Sequence, residues 1–215
     1  MNDNRILHLD LHRPLPNDLL QKIYDVIISS KLIICPTESS YLLGGNIFDK
    51  RVLEKIFSLK GRSTIKPLPA IVSDDGSARE LVVFNDIADK LCARFWPGPL
   101  TIILPIRDKR LEAGYGQSGT LGLRVPAFPV LKQILEFIKL PLISTSANVS
   151  NAAEPYTLDD LIVSTTALAE EIDLVLFAGP LPRNPPSTVL DLSHGDLHFV
   201  REGALSRQII ETTLK

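Results

Sequence analysis

Four stretches of this 215-residue chain concentrate side chains that can bind or activate a ligand, each directly after an apolar run or a helix end. The first, Cys35-Pro36-Thr37-Glu38-Ser39-Ser40-Tyr41, offers small hydroxyls and closes on Gly44-Gly45. Hydroxyls bind polar ligands, and glycines let a backbone approach them closely. The second runs from Lys60 to Leu68 and places Lys60, Arg62 and Lys66 within seven residues. Such a cluster is the chemistry of an anion site for a nucleoside triphosphate. A helix dipole alone accounts for Lys60 but less well for Arg62 and Lys66, which lie past the helix end. The third, Ser144 to Asn151, carries six hydroxyl or amide side chains in eight residues without a charge, Ser144, Ser146 and Asn148 among them. These can donate to phosphate, ribose or a base edge. The fourth joins Arg183-Asn184-Pro185-Pro186-Ser187-Thr188 to Arg201 at the end of the following apolar segment. Each stretch also has a plainer explanation: a capping hydroxyl, an Asx or Ser/Thr turn, or a proline-rich hairpin connection.

Alternating elements must position these residues. Residues 17–30 place Leu19, Leu20, Ile23, Val26 and Ile27 on one helical face, with Asn17 as N-cap. Helices are also expected at 50–60, with Gly61 beyond its end, at 86–95 capped by Asn85, at 129–139, and at 158–171 capped by Thr157. Strands are expected at 31–35, 68–73, 100–106, 120–125, 141–144, 173–177, 188–192 and 197–201. Interleaved helices and strands mean an α/β class, and the closely spaced late strands call for a mixed parallel and antiparallel sheet. The expected organisation is one domain over 1–215 with a core of about 17–206.

Composition removes several classes. With 45% hydrophobic residues the chain is not disordered. The apolar stretch Phe95 to Ile106 is interrupted by Pro and Gly and is shorter than the ~18 residues of a membrane helix, so no membrane association is expected. A net charge of −2 excludes a protein that coats nucleic acid by counterion release alone. Two cysteines make no disulfide framework, and the start MNDNRILHLD has no export-signal pattern, so a reduced, cytoplasmic setting is expected. Cys35 and Cys92 read as buried packing residues, and the four histidines as surface or structural. Neither a Walker A motif nor G-x-G-x-x-G occurs.

In combination and order, PTESSYLLGG at 36–45, FSLKGRSTIKPL at 57–68, RFWPGPLTIIL at 94–104, LGLRVPAFP at 121–129, PLISTSANVS at 141–150 and NPPSTVLDL at 184–192 resemble the YrdC-type family of threonylcarbamoyl-adenylate synthases. The resemblance implies an α/β fold with a concave nucleotide-binding cleft. It also implies a reaction in which ATP, L-threonine and bicarbonate give threonylcarbamoyl-AMP and pyrophosphate, with Mg²⁺ on the ATP. The product would feed t6A (threonylcarbamoyladenosine) formation at adenosine 37 of tRNA through t6A-completing proteins, with weak tRNA binding in the positive cleft. By motif match, Lys60, Arg62 and Lys66 would neutralise carbamate and phosphate charge. Thr37 would lie against the threonine, and Arg124 would contact its carboxylate or a phosphate. Ser144, Ser146 and Asn148 would donate to the nucleotide, and Ser187 and Arg201 would close its side. For Arg124 the plainer reading is a strand-end ion pair, and for Trp96 it is core packing.

The chain departs from the family pattern at Leu42 and Asn151, which stand at usual glycine positions, and at Ser39, which replaces a threonine. A leucine at position 42 would narrow the cleft or demand a different backbone angle. Two competing functions follow: a YciO-like paralogue with altered or lost synthase activity, and a non-catalytic RNA-binding module. The 13 aromatic residues, mostly on apolar faces, give the second little base-stacking surface.

Overall fold

The computed structural model describes residues 5–60, 68–115, 118–149, 152–165 and 171–215. Expectations concerning Gly61, Arg62, Lys66, Ser150, Asn151 and residues 166–170 lie outside these. The strands are β1 (Ile6–His8), β2 (Leu32–Cys35), β3 (Leu42–Gly44), β4 (Ala70–Ile71), β5 (Leu100–Pro105), β6 (Thr120–Arg124), β7 (Leu142–Ile143), β8 (Thr145–Ser146), β9 (Ile172–Phe177), β10 (Thr188–Asp191) and β11 (His198–Arg201). The helices are α1 (Asn17–Ile28), α2 (Lys50–Lys60), α3 (Asp75–Leu81), α4 (Asp86–Phe95), α5 (Glu112–Tyr115), α6 (Pro129–Ile138), α7 (Leu158–Thr165) and α8 (Arg207–Leu214).

The strands divide between two mixed sheets where the sequence led to one. One sheet has the order β1-β9-β2-β3-β8, the other β11-β10-β5-β6-β4-β7. Parallel pairs (β1–β9, β2–β9, β10–β5, β4–β6) coexist with antiparallel ones (β2–β3, β3–β8, β5–β6, β4–β7, β10–β11). The division comes from residues 142–146. Ser144 separates β7, at the edge of the larger sheet, from β8, at the edge of the smaller. Its N–H donates to the Pro69 carbonyl at 2.8 Å, and that of Ile143 donates to Gly45 at 2.9 Å, so the two edges are bonded where the chain crosses.

Strand alternation sorts the larger sheet into two faces. Leu100, Ile102 and Leu104 of β5, Leu121 and Leu123 of β6, and Thr188 and Leu190 of β10 are fully buried on one face. Their neighbours Thr101, Ile103, Gly122, Arg124, Ser187 and Val189 line a cavity on the other. The main apolar core joins that buried face to residues of α2, α3 and α4. A second core packs Leu20, Ile23 and Ile27 of α1 and five apolar residues of α6 against Ile33, Cys35, Leu174 and Leu176.

Local chemistry explains most helix starts. The Asn85 side chain accepts from the Ala88 N–H, Thr157 Oγ1 from Asp160, and Asp74 from Ser77. The last of these starts α3, and Ser206 caps α8; neither helix was among those expected. At eight residues or fewer they are too short for periodicity to declare them. The expected Asn17 cap is corrected: Pro16 occupies the cap position and makes no side-chain cap bond, so Asn17 is already helical. Among the described residues, no helix is long and apolar enough to cross a membrane. Both cysteines are buried, and burial pushes both thiols up from their ordinary range, consistent with packing. All four histidines are exposed.

Candidate functional site

The cavity on the polar face of the larger sheet measures about 470 Å³, within the range of small-ligand sites. Its floor is β4, β5, β6 and β10, with Gly122 leaving the middle open. Thr37, Ser39, Ser40 and Leu42 form one wall, Ser144, Thr145 and Ser146 another, and Val200 and Arg201 the far rim. Of the expected site residues, Thr37, Arg124, Ser144, Ser146, Ser187 and Arg201 converge on it.

Arg124 ends β6 with its side chain on the cavity face. It is 8% exposed, and its Nη2 donates to Glu38 Oε2 at 2.9 Å. The ion pair of the plainer reading is therefore present, with the guanidinium also lining the cavity. Burial lowers the pKa of Arg124, the Glu38 charge opposes this, and nearby Arg201 adds to it. Arg124 Nε and Glu38 Oε1 are both buried without a hydrogen-bond partner among the described residues. A buried donor left open on a cavity-lining side chain, as Arg124 Nε is, is positioned to receive a ligand.

Arg201 is held as a fork. Its Nε and Nη2 donate to the Ser187 carbonyl at 3.1 and 2.8 Å, and Nη2 reaches Ser187 Oγ at 3.1 Å. Ser187 Oγ also meets Thr101 Oγ1 at 2.9 Å. The same clamp explains the Arg201-Glu202-Gly203 ending. A Cβ on Gly203 would lie 2.2 Å from the Pro186 carbonyl oxygen and 2.8 Å from that of Ser187. Gly203→Ala must therefore displace the Pro186–Ser187 backbone. A loss of about 1–3 kcal/mol of stability in chemical denaturation is expected, together with weaker ATP binding in calorimetry. Unchanged ATP binding would overturn the expectation that Ser187 and Arg201 close the nucleotide side.

Thr37 folds back on its own loop. Its Oγ1 accepts from the Ser39 and Ser40 N–H groups at 3.0 and 3.1 Å and donates to the Ser40 carbonyl at 2.6 Å. This is a local Ser/Thr turn built into the cavity wall, not the capping hydroxyl of the plainer reading, because the loop leads into β3 and not into a helix.

Lys60 and Asn148 lie behind the wall. Lys60, the last residue of α2, is 1% exposed. Its ammonium donates to the carbonyls of Ser146 (2.6 Å) and Asn148 (2.7 Å) and to Asn148 Oδ1 (2.9 Å). Ser146 Oγ donates to the same Oδ1 at 2.6 Å, and Asn148 Nδ2 donates to the Ala152 carbonyl at 2.6 Å. An ammonium this buried persists only among such acceptors. The Lys60 ammonium thus holds the loop that lines the cavity.

Leu42 adopts ordinary strand geometry in β3. Among the described residues, the only non-glycine positions with positive φ are Ser30 and Lys139. No unusual backbone angle is demanded, so that half of the Leu42 expectation falls. The other half stands to the extent that Leu42 lines the cavity. Its side chain lies over Gly44, where an added Cβ would be 3.0 Å from Leu42 Cδ1 and 2.7 Å from the Ile143 carbonyl oxygen. Trp96 packs on the core, donating Nε1–H to the Leu100 carbonyl at 2.7 Å.

Reading of the sequence overlooked Thr101, Glu38 and Glu154. A lone threonine within the apolar run Leu100-Thr101-Ile102 was a signal for Thr101. Glu38 was marked by being the one charge in the first motif. Glu154 carried no signal.

The family model described as telomere recombination, which covers the Sua5, YciO and YrdC proteins, matches residues 25–203. The chain is 28% identical over 206 residues to a putative threonylcarbamoyl-AMP synthase of Methanocaldococcus jannaschii, spanning 95% of this chain and 96% of that protein. It superposes on the crystal structure of P. abyssi Sua5 complexed with L-threonine with a TM-score of 0.87 at 27% identity, covering 97% of this chain but 60% of that one. It also superposes on E. coli YciO with a TM-score of 0.80 at 25% identity, covering 95% and 97% of the two chains.

Proposed function

The chain belongs to the Sua5, YciO and YrdC family, and on that premise we propose that it is a threonylcarbamoyl-AMP synthase, making threonylcarbamoyl-AMP and pyrophosphate from ATP, L-threonine and bicarbonate. The observation that carries this reading is the convergence of Thr37, Arg124, Ser144, Ser146, Ser187 and Arg201, from separate segments, on one cavity. The name of the M. jannaschii relative and the threonine held by P. abyssi Sua5 support the same substrates.

The chemistry suits a site without a catalytic histidine. The threonine amine and bicarbonate form a carbamate with loss of water, and the carbamate oxygen then attacks the α-phosphorus of ATP as pyrophosphate leaves. Catalysis of such a step is mostly positioning and charge stabilisation. Arg124 binds the amino-acid carboxylate and Thr37 lies against the amino acid. Arg201 and Ser187 hold the nucleotide, and Ser144 and Ser146 donate to it. Lys60 and Asn148 shape the Ser144–Ser146 wall, and Arg62 and Lys66 supply further positive charge. ATP enters as its Mg²⁺ complex. Magnesium in such sites keeps water and phosphate ligands and takes one or two carboxylates at most. The product passes to the proteins that complete t6A at adenosine 37, with weak tRNA binding, in the cytoplasm.

The test is incubation of the pure protein with ATP, labelled bicarbonate and single amino acids. Labelled threonylcarbamoyl-AMP forming with L-threonine in preference to serine or alanine is the expected result. No labelled adenylate would overturn the assignment, and ATP and threonine binding without turnover would favour the YciO-like alternative.

A further inference from the structure

We propose that Glu154 is the ammonium-binding residue of the cleft, selecting substrates that carry an amine. The inference rests on the amino-acid reading of the cleft given above and adds to it a residue that the motifs do not mark. Glu154 is the only carboxylate among the described residues lining the cavity, where the guanidiniums of Arg124 and Arg201 are the cations.

The position of Glu154 is built rather than incidental. The Lys60 ammonium holds Asn148 Oδ1, and Asn148 Nδ2 in turn donates to the carbonyls of Ala152 (2.6 Å) and Ala153 (3.3 Å), the two residues immediately before Glu154. On the other side, Pro155 accepts from the Tyr41 N–H through its carbonyl at 3.1 Å. The Tyr156 hydroxyl donates to Glu154 Oε2 at 3.3 Å, and the Tyr156 ring lies 4.9 Å beneath the Arg183 guanidinium. Oε1 makes no hydrogen bond with the other described residues, and the Glu154 side chain lines the cavity.

Charge decides what that ligand is. A carboxylate in a cleft for carboxylate and phosphate groups weakens their binding through repulsion unless a cation meets it. Glu154 also acts on Arg201: burial lowers the pKa of that guanidinium, and the Glu154 charge opposes the shift. Of the substrates, ATP and bicarbonate are anions, and the magnesium carried by ATP arrives with phosphate and water ligands of its own. The α-ammonium of the amino acid is the remaining cation. With the amino-acid carboxylate drawn to Arg124, Glu154 supplies the opposite pole of a zwitterion site.

The experiment is calorimetric titration of the full chain, without ATP or metal, with L-threonine and with (2S,3R)-2,3-dihydroxybutanoate, in which a hydroxyl replaces the amine. Wild type is expected to prefer threonine by about tenfold or more, the scale of a charge-assisted hydrogen bond. Glu154→Gln, which keeps the shape, is expected to lose that preference, and Glu154→Asp to retain part of it. If Glu154→Gln keeps the wild-type preference, the inference falls while the proposed function stands. The same holds if, in a separate titration with MgATP, Glu154→Gln changes MgATP binding alone. If wild type binds neither compound, the proposed function falls first.

Discussion

Lys60→Met is expected to lower both stability and turnover, by about 3 kcal/mol or more and about a hundredfold respectively. Methionine fills the space of the lysine stem but cannot donate. The Ser146 and Asn148 carbonyls then lose bonds of 2.6 and 2.7 Å, and Asn148 Oδ1 loses one of 2.9 Å. Each buried group left unsatisfied costs roughly 1–3 kcal/mol. The loop so released carries Ser144 and Ser146 into the cavity, where a displacement of about 1 Å is enough for the expected loss of rate. Denaturant midpoints and turnover, measured at a temperature where the variant is folded, check both parts. Lost turnover with an unchanged midpoint would instead put the ammonium directly on a substrate.

Arg124→Gln should abolish amino-acid binding at millimolar concentration, through a loss of about 2–5 kcal/mol typical of a buried charge pair cut on one side. Part of that effect is structural, because Glu38 loses its 2.9 Å partner and is left with an uncompensated charge. The double variant Glu38→Gln/Arg124→Gln separates the two contributions. It is expected to recover much of the stability while L-threonine remains unbound, the signature of coupled residues of which one also serves the ligand. Recovery of binding in the double variant would reduce Arg124 to a structural ion pair.

Where the sequence was legible, a local rule was at work. The caps Asn85 and Thr157 are bonds within three residues of their acceptor, and helix α2 begins and ends where its apolar spacing does. Strands β5, β6 and β10 were visible as apolar runs, and their period of two sorts Arg124 and Ser187 from the core. The two-residue strands β7 and β8 are too short for a period, so the crossing at Ser144 that makes two sheets was hidden. Lys60 shows the same limit in a side chain. Its position at a helix end beside two further cations reads as an anion site, yet its acceptors come from residues 86 and 88 positions later. Glu154 is placed by the same long-range bonds through Asn148.

The two-faced strands of the larger sheet bear on how such a chain can diverge. Residues that line the cavity and residues that hold the core alternate along the same few strands, and their side chains point to opposite sides. Substitutions on the two sides should therefore combine nearly independently. A lineage can exchange Thr101, Ile103 or Val189 and so alter what it recognises, without renegotiating the packing of Leu100, Ile102 or Leu190. Arg124 is the exception: its ion pair with Glu38 couples the two positions, so a change at one is expected to need a change at the other.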